Sequence, residues 1–366
     1  MNSNKSKTIV KVLGNFLLAF FFLYLFLLGI NLFGASLKGF GTNFARLLIE
    51  TTNNPFIGLF IGILSTTIIQ SSSVTTSLTV GFVAAETLTI SNAIPIIMGA
   101  NIGTTITNII VSMGHFSVEK EFKRAFPASI VHDIFNILSV AVLLPLELSF
   151  HPIQRISGFF TDLLLGKGGI TFESPLDLVI GPVSNRIMGI MGKHYIVSCV
   201  FSFALVILAI TFLVKVLRKA SAGRFEALID QYLFRNALTA GFLGLGLTAF
   251  VQSSSVVTSL AVPLAGAGMI SIQQVYPYTL GSNLGTTITT ILASLVTGNV
   301  NAIRVALCHT IFNASGIAIW YPLRKVPIGL AKKMGTLSGK KRFLAFIYIL
   351  VIFILIPVLF IFIFRR

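Results

Sequence analysis

The chain has 366 residues, of which 55% are hydrophobic and only 10% charged, and its formal net charge is +16. A soluble domain of ordinary composition is about one quarter charged, so this chain cannot solvate a normal surface. The positive excess would suggest nucleic acid on a soluble protein, but no basic helix or aromatic-basic repeat occurs and Lys and Arg sit between apolar runs, which excludes that partner.

The first ten residues are polar and basic, and the run Val12–Phe33 after them is long enough to cross a bilayer. It exceeds a typical signal-peptide core and no small-residue cleavage site follows, so it is expected to be a retained first transmembrane helix. Lys5, Lys7 and Lys11 place its start in the cytoplasm. Phe56–Ile69 and Val74–Ala85 are apolar but too short to span a hydrocarbon core about 30 Å thick. They flank the polar string Gln70-Ser71-Ser72-Ser73, which predicts a re-entrant hairpin with the string at its tip. The next run, about 92–113, is long enough to cross but is interrupted by Gly99-Ala100-Asn101-Ile102-Gly103-Thr104-Thr105, which predicts a broken helix. A third run, about 128–146, returns. Residues 147–195 read as an extracytoplasmic connector with four basic and four acidic residues. Ile196–Leu217 crosses next, and Lys215 in its last turn with Arg218, Lys219 and Arg224 after it marks its cytoplasmic end.

The order then repeats. Residues 252–289 align without a gap on residues 70–107, at a constant offset of 182, with about half of the 38 positions identical. A second match follows, HDIFN at His132–Asn136 and HTIFN at His309–Asn313. The helix before the first copy runs from inside to outside and the helix before the second runs from outside to inside. The copies therefore begin from opposite faces, an inverted-topology pair and a common plan for secondary transporters. The expected organisation is a leading helix and repeat 1 over 1–146, the connector 147–195, a leading helix and repeat 2 over 196–322, and a basic cytoplasmic segment with a final helix over 323–366. The fold class is an all-α polytopic membrane protein with two inverted repeats, each carrying a re-entrant QSSS hairpin and a broken helix. Seven crossings leave Arg365 and Arg366 outside, the one exception to the positive-inside pattern.

Four consecutive hydrogen-bonding side chains are costly in hydrocarbon. Non-helical backbone at that depth is tolerated only against protein or a water-filled cavity. A lone Ser would be read as a helix–helix contact; the same string at equivalent positions of two repeats, Gln70–Ser73 and Gln252–Ser255, points to a binding site. Hydroxyls and amides can serve the oxygens of an anion and can also coordinate a hard cation. In Gly99-x-Asn101-x-Gly103-Thr104-Thr105-x-Thr107 and Gly281-x-Asn283-x-Gly285-Thr286-Thr287-x-Thr289, a helix break would expose N–H groups to an anion and carbonyls to a cation. Glycines for close helix packing are the other reading. His132 with Asn136 and His309 with Asn313 share helix faces at i, i+4, and interhelical hydrogen bonds are their expected role. Asp133 has no acidic counterpart in the second copy, where Thr310 stands. Glu86, at the end of the first hairpin, aligns with Gly268. Cys199 and Cys308 lie singly in apolar runs and are expected as buried free thiols.

QSSS in both copies, IPIIMGANIGTTITN at 94–108, HDIFNILSVAVLLPLE at 132–147 and YPYTLGSNLGTTIT at 276–289 closely resemble the type II sodium-phosphate cotransporters, over roughly residues 45–345. The resemblance implies a sodium-coupled symporter that imports inorganic phosphate across the plasma membrane, with both QSSS regions in its substrate and sodium sites. Phosphate is then expected at Gln70, Ser71, Ser72, Ser73, Gln252, Ser253, Ser254 and Ser255, with Thr104 and Thr286. Sodium is expected at Gln70, Ser73, Asn101, Thr105, Gln252, Ser255, Asn283 and Thr287. Vertebrate members of that family carry a long, glycosylated, disulfide-bearing loop between repeats and a cytoplasmic tail. Here the connector is short and has no Cys, as in a bacterial-type member, and the chain stops at Arg366.

The implied partners are phosphate, sodium as the coupling ion and the lipid bilayer, with no other cofactor, and a homodimer is left open. A carrier for another anion or coupling ion is an alternative, and so is an ion channel, which would pass ions without stoichiometric coupling. An intramembrane enzyme finds no support, since no G-x-S-x-G elbow, carboxylate pair or HExxH occurs.

Overall fold

A computed structural model describes residues 2–165, 175–221 and 236–364. Arg224, Arg365 and Arg366, and residues 166–174 of the connector, lie outside the described residues. Among the described residues the regular structure is entirely helical.

The first half contains α1 (Asn2–Gly39), α2 (Thr42–Thr52), α3 (Pro55–Ile69), α4 (Ser72–Ala84), α5 (Ile90–Gly103), α6 (Ile106–Met113) and α7 (Glu119–Phe150). Then come α8 (Pro152–Leu165) and α9 (Pro175–Met191). The second half contains α10 (Tyr195–Ser221), α11 (Ala237–Val251), α12 (Ser254–Ala267), α13 (Ile272–Leu295) and α14 (Val300–Trp320). The chain closes with α15 (Lys325–Lys340), α16 (Phe343–Leu350), a π-helical turn (Val351–Leu355) and α17 (Ile356–Phe364). The order α3-α4-α5/α6-α7 thus recurs as α11-α12-α13-α14.

Among the described residues, six helical stretches are long and apolar enough to cross a membrane: Leu17–Gly39, Ile90–Met113, Glu119–Phe150, Tyr195–Leu217, Val300–Trp320 and Phe343–Phe364. Helix α13 has 24 residues, about 36 Å at 1.5 Å per residue. It has the length to cross, but Gln273 and Gln274 at its start and the Ser, Thr and Asn of its motif lower its apolarity. Helices α2 and α3 meet at a bend of 98°. Asn54 sets the start of α3 by accepting from Phe56 N at 2.9 Å, with Pro55 at the first helical position.

Two features differ from the sequence expectation. The broken helix of the second repeat is not broken: α13 runs through Gly281–Thr289 without interruption. In the first repeat only Thr104 and Thr105 separate α5 from α6, and both keep right-handed helical dihedrals. The physical reason is that the motif glycines let helices touch. A Cβ at Gly99 would run into the carbonyl of Leu59, and one at Gly103 into Ile63 and Thr66. A Cβ at Gly281 would strike the Gly241 backbone, and one at Gly285 would strike Leu245 and Thr248. These glycines seat α5 on α3 and α13 on α11, the close approach that only Gly permits.

The second difference lies in the connector. The boundary expected at 146/147 falls inside α7, and the range 147–195 holds α8 and α9. Glu147 accepts from Ile153 N at 2.7 Å and from Gln154 N at 3.1 Å, so its carboxylate serves the exposed N–H groups that begin α8. Arg304 of α14 donates to Gln154 O at 2.9 Å and Cys308 donates to Ser157 Oγ at 3.1 Å, which fastens α8 to α14. Cys308 and Cys199 are free thiols, the first buried and the second half-buried.

Candidate functional site

Both serine strings sit where a helix stops and another starts. Gln70 ends α3 in the left-handed region, at φ 57 and ψ 27, and its N–H returns to Thr66 O at 2.7 Å. Gln252 ends α11 almost identically, at φ 60 and ψ 25, with its N–H on Thr248 O at 2.7 Å. Ser71 and Ser253 are extended and cap α4 and α12, each accepting at 3.4 Å from the N–H three residues on. Each tip therefore sets the carbonyl end of one short helix beside the N–H end of the next. A left-handed Gln is uncommon, and its occurrence at both tips is a strained turn held by its surroundings.

The two tips meet. Ser73 Oγ donates to Gln252 O at 3.4 Å. Ser72 Oγ donates to Thr104 Oγ1 at 3.2 Å, and Thr104 Oγ1 lies 3.1 Å from Ser255 Oγ. A hydroxyl chain thus runs from the first string, through α5/α6, to the second. One turn beyond each string the link is repeated: Thr76 bonds Thr290 at 2.8 Å, and Thr258 donates to Asn108 Oδ1 at 2.9 Å. Thr290 also lies 3.1 Å from His309 Nδ1. Hairpin 1 is therefore pinned to α13 and hairpin 2 to α6.

The tips differ in one respect. Gln252 is buried; its Oε1 accepts from Thr289 at 2.6 Å and its Nε2 donates to Ala249 O. Gln70 is exposed, and Thr107, the residue equivalent to Thr289, buries its hydroxyl without a partner.

The asparagines hold the helices around the tips. Asn136 donates to Asn101 O at 2.7 Å, and Asn283 donates to Asn136 Oδ1 at 3.0 Å and Asn313 Oδ1 at 3.2 Å. Asn313 returns a bond to Asn283 O at 3.2 Å. Asn101 spends its amide on Ile97 O at 2.9 Å, while its Oδ1 is buried without a partner.

Of the residues singled out from sequence, Ser72, Ser73, Thr104, Gln252 and Ser255 form one connected cluster. Thr286 and Thr287 bond back to their own helix, at Ser282 O and Leu284 O. Thr105 bonds Ile102 O and also Asp133 Oδ1, at 2.8 Å each. Asp133 is fully buried and accepts a further bond from Tyr348 of α16. The structure adds Thr289, Thr76 and Thr258, which the sequence expectation does not include. The signal for Thr289 was its place at the end of the repeated G-x-N-x-G-T-T-x-T motif; Thr76 and Thr258 stand one turn past the strings.

The cluster is rich in hydroxyl and amide oxygens and includes no Lys or Arg. Among the described residues no group of three His, Cys, Asp or Glu could hold a metal ion. The N-terminal ends of α4 and α12 each carry about half a positive charge and converge on the same place. An anion can be received by these N–H groups and hydroxyls, and a hard cation by the hydroxyls, the free Asn101 Oδ1 and the carbonyl ends of α3 and α11.

A family model described as Na+/Pi-cotransporter matches residues 25–163 and 205–336. Sodium-dependent phosphate transport protein 2B of Pongo abelii is 33% identical over 444 aligned residues, covering 94% of this chain and 64% of that protein. The Homo sapiens 2B protein gives the same figures. Sodium-dependent phosphate transport protein 2A of Rattus norvegicus is 33% identical over 416 residues, covering 92% of this chain and 65% of that protein. The chain thus spans slightly less than two thirds of the length of these relatives. No solved structure matches it.

Proposed function

Because the chain belongs to the Na+/Pi-cotransporter family, we propose that it is a sodium-coupled symporter that imports inorganic phosphate across the plasma membrane. The observation that carries this reading is the meeting of the two serine strings, Ser73 on Gln252 and Ser72 through Thr104 on Ser255. Two helix N-termini there offset about one unit of a phosphate's negative charge. With no basic side chain in the cluster the remaining charge would be buried unpaired, at a cost of several kcal/mol. Bound sodium supplies the balance. It is assigned to Gln70, Ser73, Asn101, Thr105, Gln252, Ser255, Asn283 and Thr287, and phosphate to the two strings with Thr104 and Thr286. Sodium binds first and completes the phosphate site, so each raises the affinity for the other by the same factor.

The two repeats lie in the bilayer in opposite senses, with the N-terminus cytoplasmic and the segment 147–195 outside. Alternating access then exchanges the environments of the two hairpins around one central site. The test is phosphate uptake into proteoliposomes driven by a sodium gradient, with sulfate and arsenate as competitors. Uptake that tracks the sodium gradient and is competed by arsenate more than by sulfate supports the reading. Phosphate flux indifferent to sodium overturns it in favour of a channel or another coupling ion.

A further inference from the structure

A second basic site lies away from the serine strings. The N-terminal part of α7, the α12–α13 turn and α15 line an open surface cavity of about 530 Å³. Three cationic side chains line it, Lys123 and Arg124 from α7 and Lys332 from α15, together with Ser271 and Gln274 at the start of α13. No carboxylate lines it. Of the acidic residues in the first turn of α7, Glu119 pairs with Lys123 and so offsets that cation, while Glu121 is engaged with His115 at 2.8 Å.

The cations are placed by the fold. The Lys123 stem lies on Gly339 of α15, and Pro127, one turn on, packs against Gly335. The Arg124 guanidinium occupies the space that a Cβ of Gly268 would need, and Gly268 has φ +81, a conformation that strains any side chain there. Among the described residues, the Arg124 guanidinium and the Lys332 ammonium have no ion-pair partner, and neither side chain takes part in a hydrogen bond. Three other arginines are engaged: Arg304 donates to Gln154 O, Arg342 to Phe116 O and Ser117 O, and Arg324 stacks on Tyr321. The Ser271 N–H and hydroxyl both donate to Gln274 Oε1, at 2.9 and 2.7 Å, so the Gln274 acceptor is filled and its amide is left to donate. The cavity therefore presents two unpaired cations, the Arg124 guanidinium and the Lys332 ammonium, with the Glu119-paired Lys123 and the Gln274 amide beside them. Cationic pockets between helices at a membrane surface receive phosphate headgroups, and a guanidinium fork suits phosphate oxygens.

We propose that this cavity binds a phosphate-bearing anion, either the headgroup of an anionic lipid or free inorganic phosphate, and that the bound anion ties the mouth of hairpin 2 to α7 and α15. The site is separate from the central cluster and its occupancy does not depend on the transport reading.

The test uses the full chain purified in neutral detergent in sodium-free buffer. Titration calorimetry is run with dioctanoyl phosphatidic acid, dioctanoyl phosphatidylcholine and inorganic phosphate, on wild type, Lys332→Gln, the double variant Arg124→Gln/Lys332→Gln, and Arg124→Lys. Wild type is expected to bind phosphatidic acid or inorganic phosphate more tightly than phosphatidylcholine. Each lost cation should weaken binding about tenfold, as expected for one hydrogen bond to a charged group, while Arg124→Lys, which keeps the charge and loses the fork, should weaken it less than loss of the cation does. Variant-sensitive binding of the lipid alone identifies a headgroup site; equal sensitivity with inorganic phosphate identifies the free ion. Lys332 is exposed on α15, so its single variant gives a reading if the double variant does not fold. Wild type that binds neither anion, or binding unchanged by removal of the cations, overturns the proposal.

Discussion

Thr289 donates a 2.6 Å hydrogen bond to Oε1 of the buried Gln252. The equivalent pair in the first repeat is apart, with the Thr107 hydroxyl buried alone and Gln70 exposed. The same QSSS and G-x-N-x-G-T-T-I-T motifs thus stand in two arrangements within one molecule.

Replacing Thr289 with Val, which keeps the shape and removes the hydroxyl, should leave Gln252 Oε1 buried and unsatisfied. The expected loss is about 1–3 kcal/mol of stability. Thr107→Val removes a hydroxyl that already lacks a partner, so it should be neutral or slightly stabilising. Thermal unfolding of the two variants under one condition checks the contrast; equal losses would mean that the Thr289–Gln252 bond carries no weight.

Asn101 and Asn283 should separate binding from folding. Asn283→Ala strips a donor from both Asn136 Oδ1 and Asn313 Oδ1, and the expected cost is about 2 kcal/mol or more. Asn101→Ala removes an oxygen with no partner and one bond within its own helix, so folding should suffer little. If that oxygen holds sodium, the variant loses the dependence of phosphate affinity on sodium concentration. Phosphate affinity measured across a sodium series decides this, and a wild-type affinity that ignores sodium would sink the coupling scheme.

Gly99→Ala and Gly281→Ala should each destabilise by about 3 kcal/mol, the upper end for overpacking, because the obstacle is backbone that cannot rotate away. Gly246→Ala is the control. A Cβ there meets nothing, and replacing a helical Gly should gain about 0.5–1 kcal/mol. Yield of folded protein and unfolding temperature report all three. A tolerated Gly281→Ala would mean that α13 need not approach α11 so closely.

Asp133 binds repeat 1 to the final helix through Tyr348. Carboxyl groups inside a membrane are rare and are paired with partners. Tyr348→Phe removes one of two donors to a fully buried side chain, with an expected loss of about 1–3 kcal/mol. The final helix should then be the first segment to exchange its amide hydrogens, and unchanged exchange there would show that Asp133 is held by Thr105 alone.

The apolar runs gave the helices, because helix formation in a bilayer is dictated by the local need to satisfy every backbone group. The breaks at Gln70 and Gln252 were legible for the same local reason, since a polar string ends a run too short to span. Repetition of the string marked it as more than a packing contact. The roles within the motifs were not legible. The glycines of the G-x-N-x-G motif read as helix breaks, with packing faces as the other reading, and only the carbonyls of Leu59 and Gly241 opposite Gly99 and Gly281 decide for packing. The connector hid two helices whose start depends on Glu147. Above all, the bond from Thr104 to Ser255 joins residues 151 positions apart. Composition and periodicity act over a few turns of chain, and such a pairing exists only once the packed helices have brought two distant tips to one place.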